Sequence, residues 1–86
     1  MNAPATVTVY SKSDCVQCTA TKRWLESRGV TYQEVNIEDD VKHLESAKSY
    51  GYLAAPVVVV DTPAGEEHWS GYNPNELDRT LGKKAS

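Results

Sequence analysis

A strand-helix-strand pattern fills the first part of the chain and restricts the fold more than any other feature. Residues 5–10 (Ala-Thr-Val-Thr-Val-Tyr) alternate and are rich in β-branched side chains, which is typical of a strand. After the polar segment 11–14, apolar residues recur at helical spacing until Gly29. Residues 32–37 (Tyr-Gln-Glu-Val-Asn-Ile) again favour a strand. A unit of about thirty residues in this order predicts two parallel strands joined by a right-handed crossover.

The helix of this unit is predicted to be amphipathic, with Gly29 as its stop signal. Charged residues separate the positions of its apolar stripe, which are Val16, Ala20, Thr21, Trp24 and Leu25. We expect Trp24 to serve core packing, the usual role of a large aromatic side chain.

A second helix is predicted after the acidic residues 38–40, which suit the positive end of a helix dipole. Its weak apolar stripe ends before Gly51 and consists of Val41, Leu44, Ala47 and Lys48. Val57–Val60 is apolar on both faces, as in a central strand. Turn residues at 62–65 then lead to residues 66–69, and the pair of segments predicts a β-hairpin.

The last helix has a clear start signal. Asn73 is a good N-cap, Pro74 suits the first helical position, and Glu76 completes a capping-box-like pattern. The predicted order is therefore β-α-β-α-β-β-α within a single domain covering residues 1–86. This order indicates an α/β fold in which three helices flank a four-stranded mixed sheet.

Length and charge exclude several classes of function. A chain of 86 residues allows one modest core, so a reactive group must lie at the surface. The net charge of -3 lacks the basic excess that binds nucleic acid or anionic lipid. Residues 1–6 have no signal-peptide character, and the apolar run 53–60 is shorter than the roughly 20 residues of a membrane span. We expect a cytoplasmic protein without nucleic-acid or membrane partners, and a monomer because no large apolar patch is predicted.

Two cysteines, Cys15 and Cys18, lie where the first strand ends and the first helix begins. Spacing of i to i+3 places both sulfurs on one side of the first turn, where a disulfide opens and closes with little backbone movement. Cys15 faces unpaired backbone N–H groups and the positive end of the dipole, which favour its thiolate and make it the predicted nucleophile. Cys18 is the predicted resolving thiol, which attacks Cys15 to release the partner. Lys12 and Lys22 add positive potential, whereas Asp14 opposes thiolate formation.

A pair of cysteines can also bind zinc or form a structural disulfide. A zinc site needs four ligands, and His43 and His68 lack the spacing of a zinc finger, so we favour solvated surface histidines and predict no metal site. A structural disulfide closing so short a loop stabilises little. We therefore predict redox exchange. The alternative is a binding module without catalytic activity, which keeps the fold and uses the cysteines for a metal or for nothing.

The sequence closely resembles the NrdH-redoxin family over nearly the whole chain. The resemblance is carried by residues 9–10 (Val-Tyr), 14–18 (Asp-Cys-Val-Gln-Cys), 20–23 (Ala-Thr-Lys-Arg), Gly29, 35–37 (Val-Asn-Ile), 55–58 (Ala-Pro-Val-Val) and 69–74 (Trp-Ser-Gly-Tyr-Asn-Pro). It implies a thioredoxin-like fold and a redox-active disulfide without a bound cofactor. It also implies electrons from NADPH through thioredoxin reductase, and the large subunit of class Ib ribonucleotide reductase as the partner that is reduced.

The resemblance further implies a surface that docks the partner. The peptide bond before Pro56 is expected to be cis, so that the backbone of Ala55 faces the cysteines and pairs with a strand of the partner; otherwise Pro56 merely starts a strand. The implied docking residues are Lys12, Val16, Gln17, Ala55, Pro56, Trp69, Ser70, Gly71 and Tyr72. Three positions, Trp24, Ala55 and Tyr72, depart from the residues that are commoner in the family.

The main alternative is a glutaredoxin that uses glutathione as a general disulfide reductase. Glutaredoxins hold the tripeptide with a Gly-Gly turn and an acidic pair at the start of the last helix. Residues 70–75 (Ser-Gly-Tyr-Asn-Pro-Asn) lack the acidic pair, and the C-P-Y-C type motif is also missing. We therefore expect poor glutathione binding.

Overall fold

The computed structural model describes residues 5–52 and 54–82. Its elements are β1 (Thr6–Ser11), α1 (Val16–Ser27), β2 (Gln33–Asn36), α2 (Val41–Lys48), β3 (Val57–Thr62), β4 (Gly65–Ser70) and α3 (Pro74–Leu81). The predicted order of strands and helices is confirmed, and the observed boundaries differ from the predicted ones by one or two residues at most ends.

The four strands form one mixed sheet in the order β2-β1-β3-β4. β1 and β2 are parallel, as the strand-helix-strand pattern predicts, whereas β1 with β3 and β3 with β4 are antiparallel. Val58 lies opposite Val9 on one side and Trp69 on the other, so β1, β3 and β4 contribute to one packed layer. The carboxyl end of β1 leads into the loop that starts α1, and this connection fixes the position of the cysteines.

The core has two parts, one on each face of the sheet. The first part joins strand residues to α1 and α3, and its buried members are Val7, Val9, Trp24, Leu25, Val58, Val60, Trp69 and Leu77. The second part is smaller and lies on the α2 face, with Ala47, Val57 and Val59 buried and tyrosines packed around them. Burial on both faces of β3 confirms the central strand, and Trp24 has its predicted place in the core.

Two predictions about the helical stripes are wrong. Val16 is 84 % exposed, because α1 turns its buried face toward the sheet at Cys18 and Val16 lies about 200° around the helix from that residue. In the predicted stripe of α2, Val41 and Lys48 are also exposed, Leu44 is half-buried, and Ala47 is buried as predicted.

The helix caps agree with the sequence signals except in one detail. Asp40 and Asn73 each accept a backbone N–H at the start of their helices. The reciprocal bond of a capping box, from the Asn73 N–H to the Glu76 carboxylate, is absent among the hydrogen bonds of the described residues, and that carboxylate accepts from Arg79 Nε at 2.9 Å. Gly29 follows the end of α1 with a φ of +70°, a conformation that favours glycine. Among the described residues, no helix is both long and apolar enough to cross a bilayer.

Candidate functional site

Cys15 is the N-cap residue of α1, and Cys18 lies in the first turn of the helix. The two residues form a disulfide, with their Cα atoms 5.2 Å apart. The backbone N–H of Cys18 donates to Cys15 Sγ at 3.1 Å, so the sulfur fills the place that a serine or aspartate oxygen takes in ordinary caps. Asp14 makes the preceding bend with a φ of +53°. The predicted contact between Cys15 and a free helix N–H is confirmed, and it stabilises negative charge on this sulfur.

The two sulfurs differ in accessibility. Cys15 is half-buried and opens to the surface, whereas Cys18 is 1 % exposed. An incoming disulfide therefore meets Cys15 first. This asymmetry supports the predicted roles of Cys15 as nucleophile and Cys18 as resolving thiol.

The loop before β3 comes close to the disulfide. The Ala55–Pro56 peptide bond is cis, as the resemblance implies, and the Ala55 carbonyl oxygen lies 3.9 Å from Cys15 Sγ. The Pro56 carbonyl accepts the N–H of Gly71 at 2.8 Å, and Ser70 Oγ donates to the Ala54 carbonyl at 3.3 Å. These bonds join the proline loop to the 70–72 loop beside the cysteines.

Gln17 joins the cysteine motif to the same 70–72 loop. Its Oε1 accepts the backbone N–H of Tyr72 at 2.9 Å. A Cβ atom at Gly71 would lie 3.0 Å from this oxygen, and the φ of +84° at Gly71 also favours glycine. The resemblance implies Gln17 as a docking residue; its side chain is exposed, and its amide oxygen also forms this internal hydrogen bond. Periodicity cannot reveal a side chain that bonds to backbone 55 residues away.

The predicted docking residues differ in exposure, and Ala55, Ser70 and Gly71 are half-buried. Val16 and Tyr72 are exposed, Tyr72 by 38 %, and with Arg23 they line one hollow beside α1. Trp69 is 6 % exposed and Pro56 is fully buried, so their side chains offer little surface to a partner. The Trp69 side chain points to the core face of the sheet, because Trp69 pairs directly with the buried Val58 of β3. The exposed group, which includes Lys12, remains a predicted docking surface.

Two carboxylates near the site, those of Glu34 and Glu38, are hydrogen-bonded. Glu34 accepts hydrogen bonds from Lys22 Nζ and Ser11 Oγ, each at 2.8 Å. The bond from Lys22, followed by that from Ser11, holds the pKa of Glu34 below its ordinary value. Glu38 accepts the N–H of Ser13 at 3.1 Å, and hydrogen bonding from Ser13 lowers its pKa as well. The predicted positive potential of Lys22 is therefore offset by Glu34.

The pairing of Glu34 predicts a pH-dependent contribution to stability. Because its pKa is lower in the folded state, the stabilisation is complete above the unfolded value near 4.5 and is lost as pH falls through the folded value. We expect about 0.5 kcal/mol, since the pair is partly exposed to solvent. Urea unfolding of the native chain and of Glu34→Gln should show a difference at pH 7 that disappears as the pH falls below the folded pKa of Glu34. A difference that is as large in acid as at pH 7 would contradict this prediction.

The two histidines lie apart from the cysteines. His43 Nδ1 is 3.1 Å from the Asn36 carbonyl oxygen, and His68 Nδ1 is 3.0 Å from the Tyr52 hydroxyl. Within residues 5–52 and 54–82, no three His, Cys, Asp or Glu side chains group together as metal ligands.

Comparison with known proteins identifies the family. The glutaredoxin family model matches residues 7–63. The glutaredoxin-like protein NrdH of Escherichia coli K12 is 37 % identical over 73 residues, which are 85 % of each chain. Its namesake in Lactococcus lactis subsp. cremoris is 39 % identical over 71 residues, covering 83 % of this chain and 93 % of the relative.

Solved structures agree with this result. NrdH-redoxin from Escherichia coli, which is described as having a thioredoxin-like activity profile, superposes with a TM-score of 0.76 at 36 % identity and covers 86 % of this chain and 92 % of its own. A glutaredoxin from Archaeoglobus fulgidus gives 0.69 at 26 % identity, with 85 % and 82 % covered. The fold is thioredoxin-like, and the Cys15–Cys18 disulfide is the redox centre of a thiol-disulfide oxidoreductase. The chain belongs to the glutaredoxin family and, within it, to the NrdH-redoxins.

Proposed function

We propose that the chain is a cytoplasmic, monomeric electron carrier. It takes electrons from NADPH through thioredoxin reductase and passes them to protein disulfides, chiefly that of the large subunit of class Ib ribonucleotide reductase. The Cys15–Cys18 pair is the redox group, and no further cofactor takes part. The alternative is the glutathione-dependent glutaredoxin.

The observation that carries this proposal is the internal pairing of polar groups at the start of α3. Glutathione has two carboxylates and an amine, which need free donors and acceptors in the protein. The N–H of Gly71 is bonded to Pro56, the N–H of Tyr72 is bonded to Gln17, and the Asn73 side chain caps α3. Breaking these bonds to bind the tripeptide costs about 1 kcal/mol each. Reduction by a protein partner avoids this cost.

A protein substrate also suits the exposed surface around Cys15. Val16 and Tyr72 offer apolar contact, and the Ala55 backbone lies next to the sulfur where an extended segment of the partner can pair with it. The thioredoxin-like activity profile of the Escherichia coli NrdH-redoxin supports the same assignment.

The test is NADPH-coupled reduction of the Cys15–Cys18 disulfide, with thioredoxin reductase in one series and glutathione plus glutathione reductase in the other. We expect turnover in the first series, and reduction of the oxidised ribonucleotide reductase subunit when it is added. The Cys15→Ser chain supplies the background rate. Efficient turnover with glutathione alone would overturn the proposal in favour of the glutaredoxin.

A second comparison tests whether the hydrogen bond between Gln17 and the Tyr72 N–H disfavours glutathione. Gln17→Ala releases the Tyr72 N–H, so turnover with glutathione should rise about fivefold, as expected for about 1 kcal/mol. Gln33→Ala is the matched control, because it makes the same change at an exposed position of β2 away from the cysteines and should leave the glutathione rate unchanged. An unchanged rate in Gln17→Ala would show that the tie does not exclude glutathione.

A further inference from the structure

A polar groove opens beside Cys15 on the side away from Tyr72. Thr19 and Lys22 line it together with Cys15, because residues four and seven positions along α1 share its face. Glu34 of β2 lines the opposite wall, and Lys12 and Asp14 lie at the rim. Lys22, Glu34 and the reactive Cys15 therefore line the same groove.

The Glu34 carboxylate in this groove is held by hydrogen bonds from two neighbouring side chains. Glu34 lies opposite Val9 in the parallel pair of strands, so both side chains point to the α1 face of the sheet. Ser11 is buried at the end of β1 and donates to the same Glu34 oxygen that Lys22 approaches. Two bonds of 2.8 Å thus hold the carboxylate in place and hold the Lys22 ammonium against it.

We propose that Glu34 is a positioning residue for thiol-disulfide exchange. By holding the Lys22 ammonium in an ion pair, Glu34 limits how strongly that ammonium stabilises the Cys15 thiolate. A less stabilised thiolate is a better nucleophile and belongs to a more reducing pair. Cys15 thiolate attacks the partner disulfide, forms a mixed disulfide and expels one partner thiolate. Cys18 then loses its proton, attacks Cys15 and expels the second thiolate. The partner gains two electrons, and the cysteine pair is oxidised.

The other charged residues near Cys15 stay unchanged when Glu34 is replaced. Lys12 and Asp14 belong to the loop before the cysteine, and Glu38 is bonded to the Ser13 N–H. None of them contacts Glu34 in the described hydrogen bonds, so removal of the Glu34 charge is a local change.

The experiment compares the native chain with Glu34→Gln in a dithiothreitol redox buffer, which requires neither thioredoxin reductase nor glutathione. It measures the equilibrium between dithiol and disulfide, and the pH at which half of Cys15 reacts as thiolate in rapid alkylation. We expect Glu34→Gln to move the equilibrium about fivefold toward the dithiol and to lower the half-reaction pH by about 0.5, since a freed ammonium near the sulfur contributes on the order of 1 kcal/mol. Lys22→Met should shift both quantities in the opposite direction.

Two controls separate charge from structure. Glu26→Gln removes a carboxylate that is also hydrogen-bonded, to Tyr32, but lies about 16 Å further along the helix, and it should change neither quantity. Ser11→Ala removes a bond to Glu34 but no charge, so it should shift both quantities much less than Glu34→Gln. The proposal is overturned if Glu34→Gln behaves like Glu26→Gln, or if Ser11→Ala reproduces its full effect. Either result leaves the proposed electron source untouched, because the buffer does not depend on it.

Discussion

Replacing Cys15 by serine is expected to lower the rate of protein disulfide reduction by on the order of a thousandfold, because a hydroxyl at neutral pH is a far weaker nucleophile than a thiolate. The loss should occur without unfolding, since the serine oxygen can still accept the Cys18 N–H as an N-cap. The measurement is reduction of an insulin or partner disulfide, with circular dichroism to confirm the fold.

The companion variant Cys18→Ser should behave differently. Cys15 can still attack a partner, but the buried resolving thiol is missing, so the mixed disulfide accumulates. Non-reducing electrophoresis and intact mass measurement should detect this species in Cys18→Ser and only traces of it in Cys15→Ser. Equal trapping by the two variants would contradict the assignment of roles.

The largest expected effect on stability is that of Leu25→Ala. Leu25 is 0 % exposed and packs in the core between α1 and the sheet, so its truncation should cost about 3 kcal/mol through lost burial and a residual cavity. For a domain of this size the melting temperature should fall by about 15 °C. Because total stability is about 5 to 15 kcal/mol, the variant keeps only a small margin.

Val16→Ala is the matched control on the same helix. Its side chain is 84 % exposed, so the free energy of unfolding should change by no more than about 0.5 kcal/mol. Urea unfolding of both oxidised variants provides the comparison. A loss for Leu25→Ala as small as that for Val16→Ala would show that the α1 face of the core is less tightly packed than described.

The sequence predicts the elements well where the local signals are strong. The run Val57–Val60, the Asn73-Pro74 helix start and the stop at Gly29 each depend on short-range patterns, and all three are confirmed. The placement of the cysteines follows from the same local logic, because a helix start is defined by a few residues.

The rest of the site depends on contacts between distant segments. The orientation of Trp69 depends on its partner across β3, and the role of Gln17 depends on a loop near the other end of the chain. The position of Ala55 beside Cys15 was implied only by the family resemblance. Hydrophobic spacing alone also misplaced Val16, because an apolar residue in the first turn satisfies the helical period without facing the sheet.

The two residues between the cysteines have different spatial neighbours, although they are adjacent in the chain. Val16 projects into solvent, and Gln17 is bonded to the loop that carries Tyr72. A substitution at Val16 changes what a partner meets while every internal bond is kept. One at Gln17 also removes the hydrogen bond to the Tyr72 N–H and so alters the second loop's support. If Val16 belongs to the proposed docking surface, we expect mutation at Val16 alone to change partner preference, whereas Gln17 and Gly71, which are in close contact, are expected to change together.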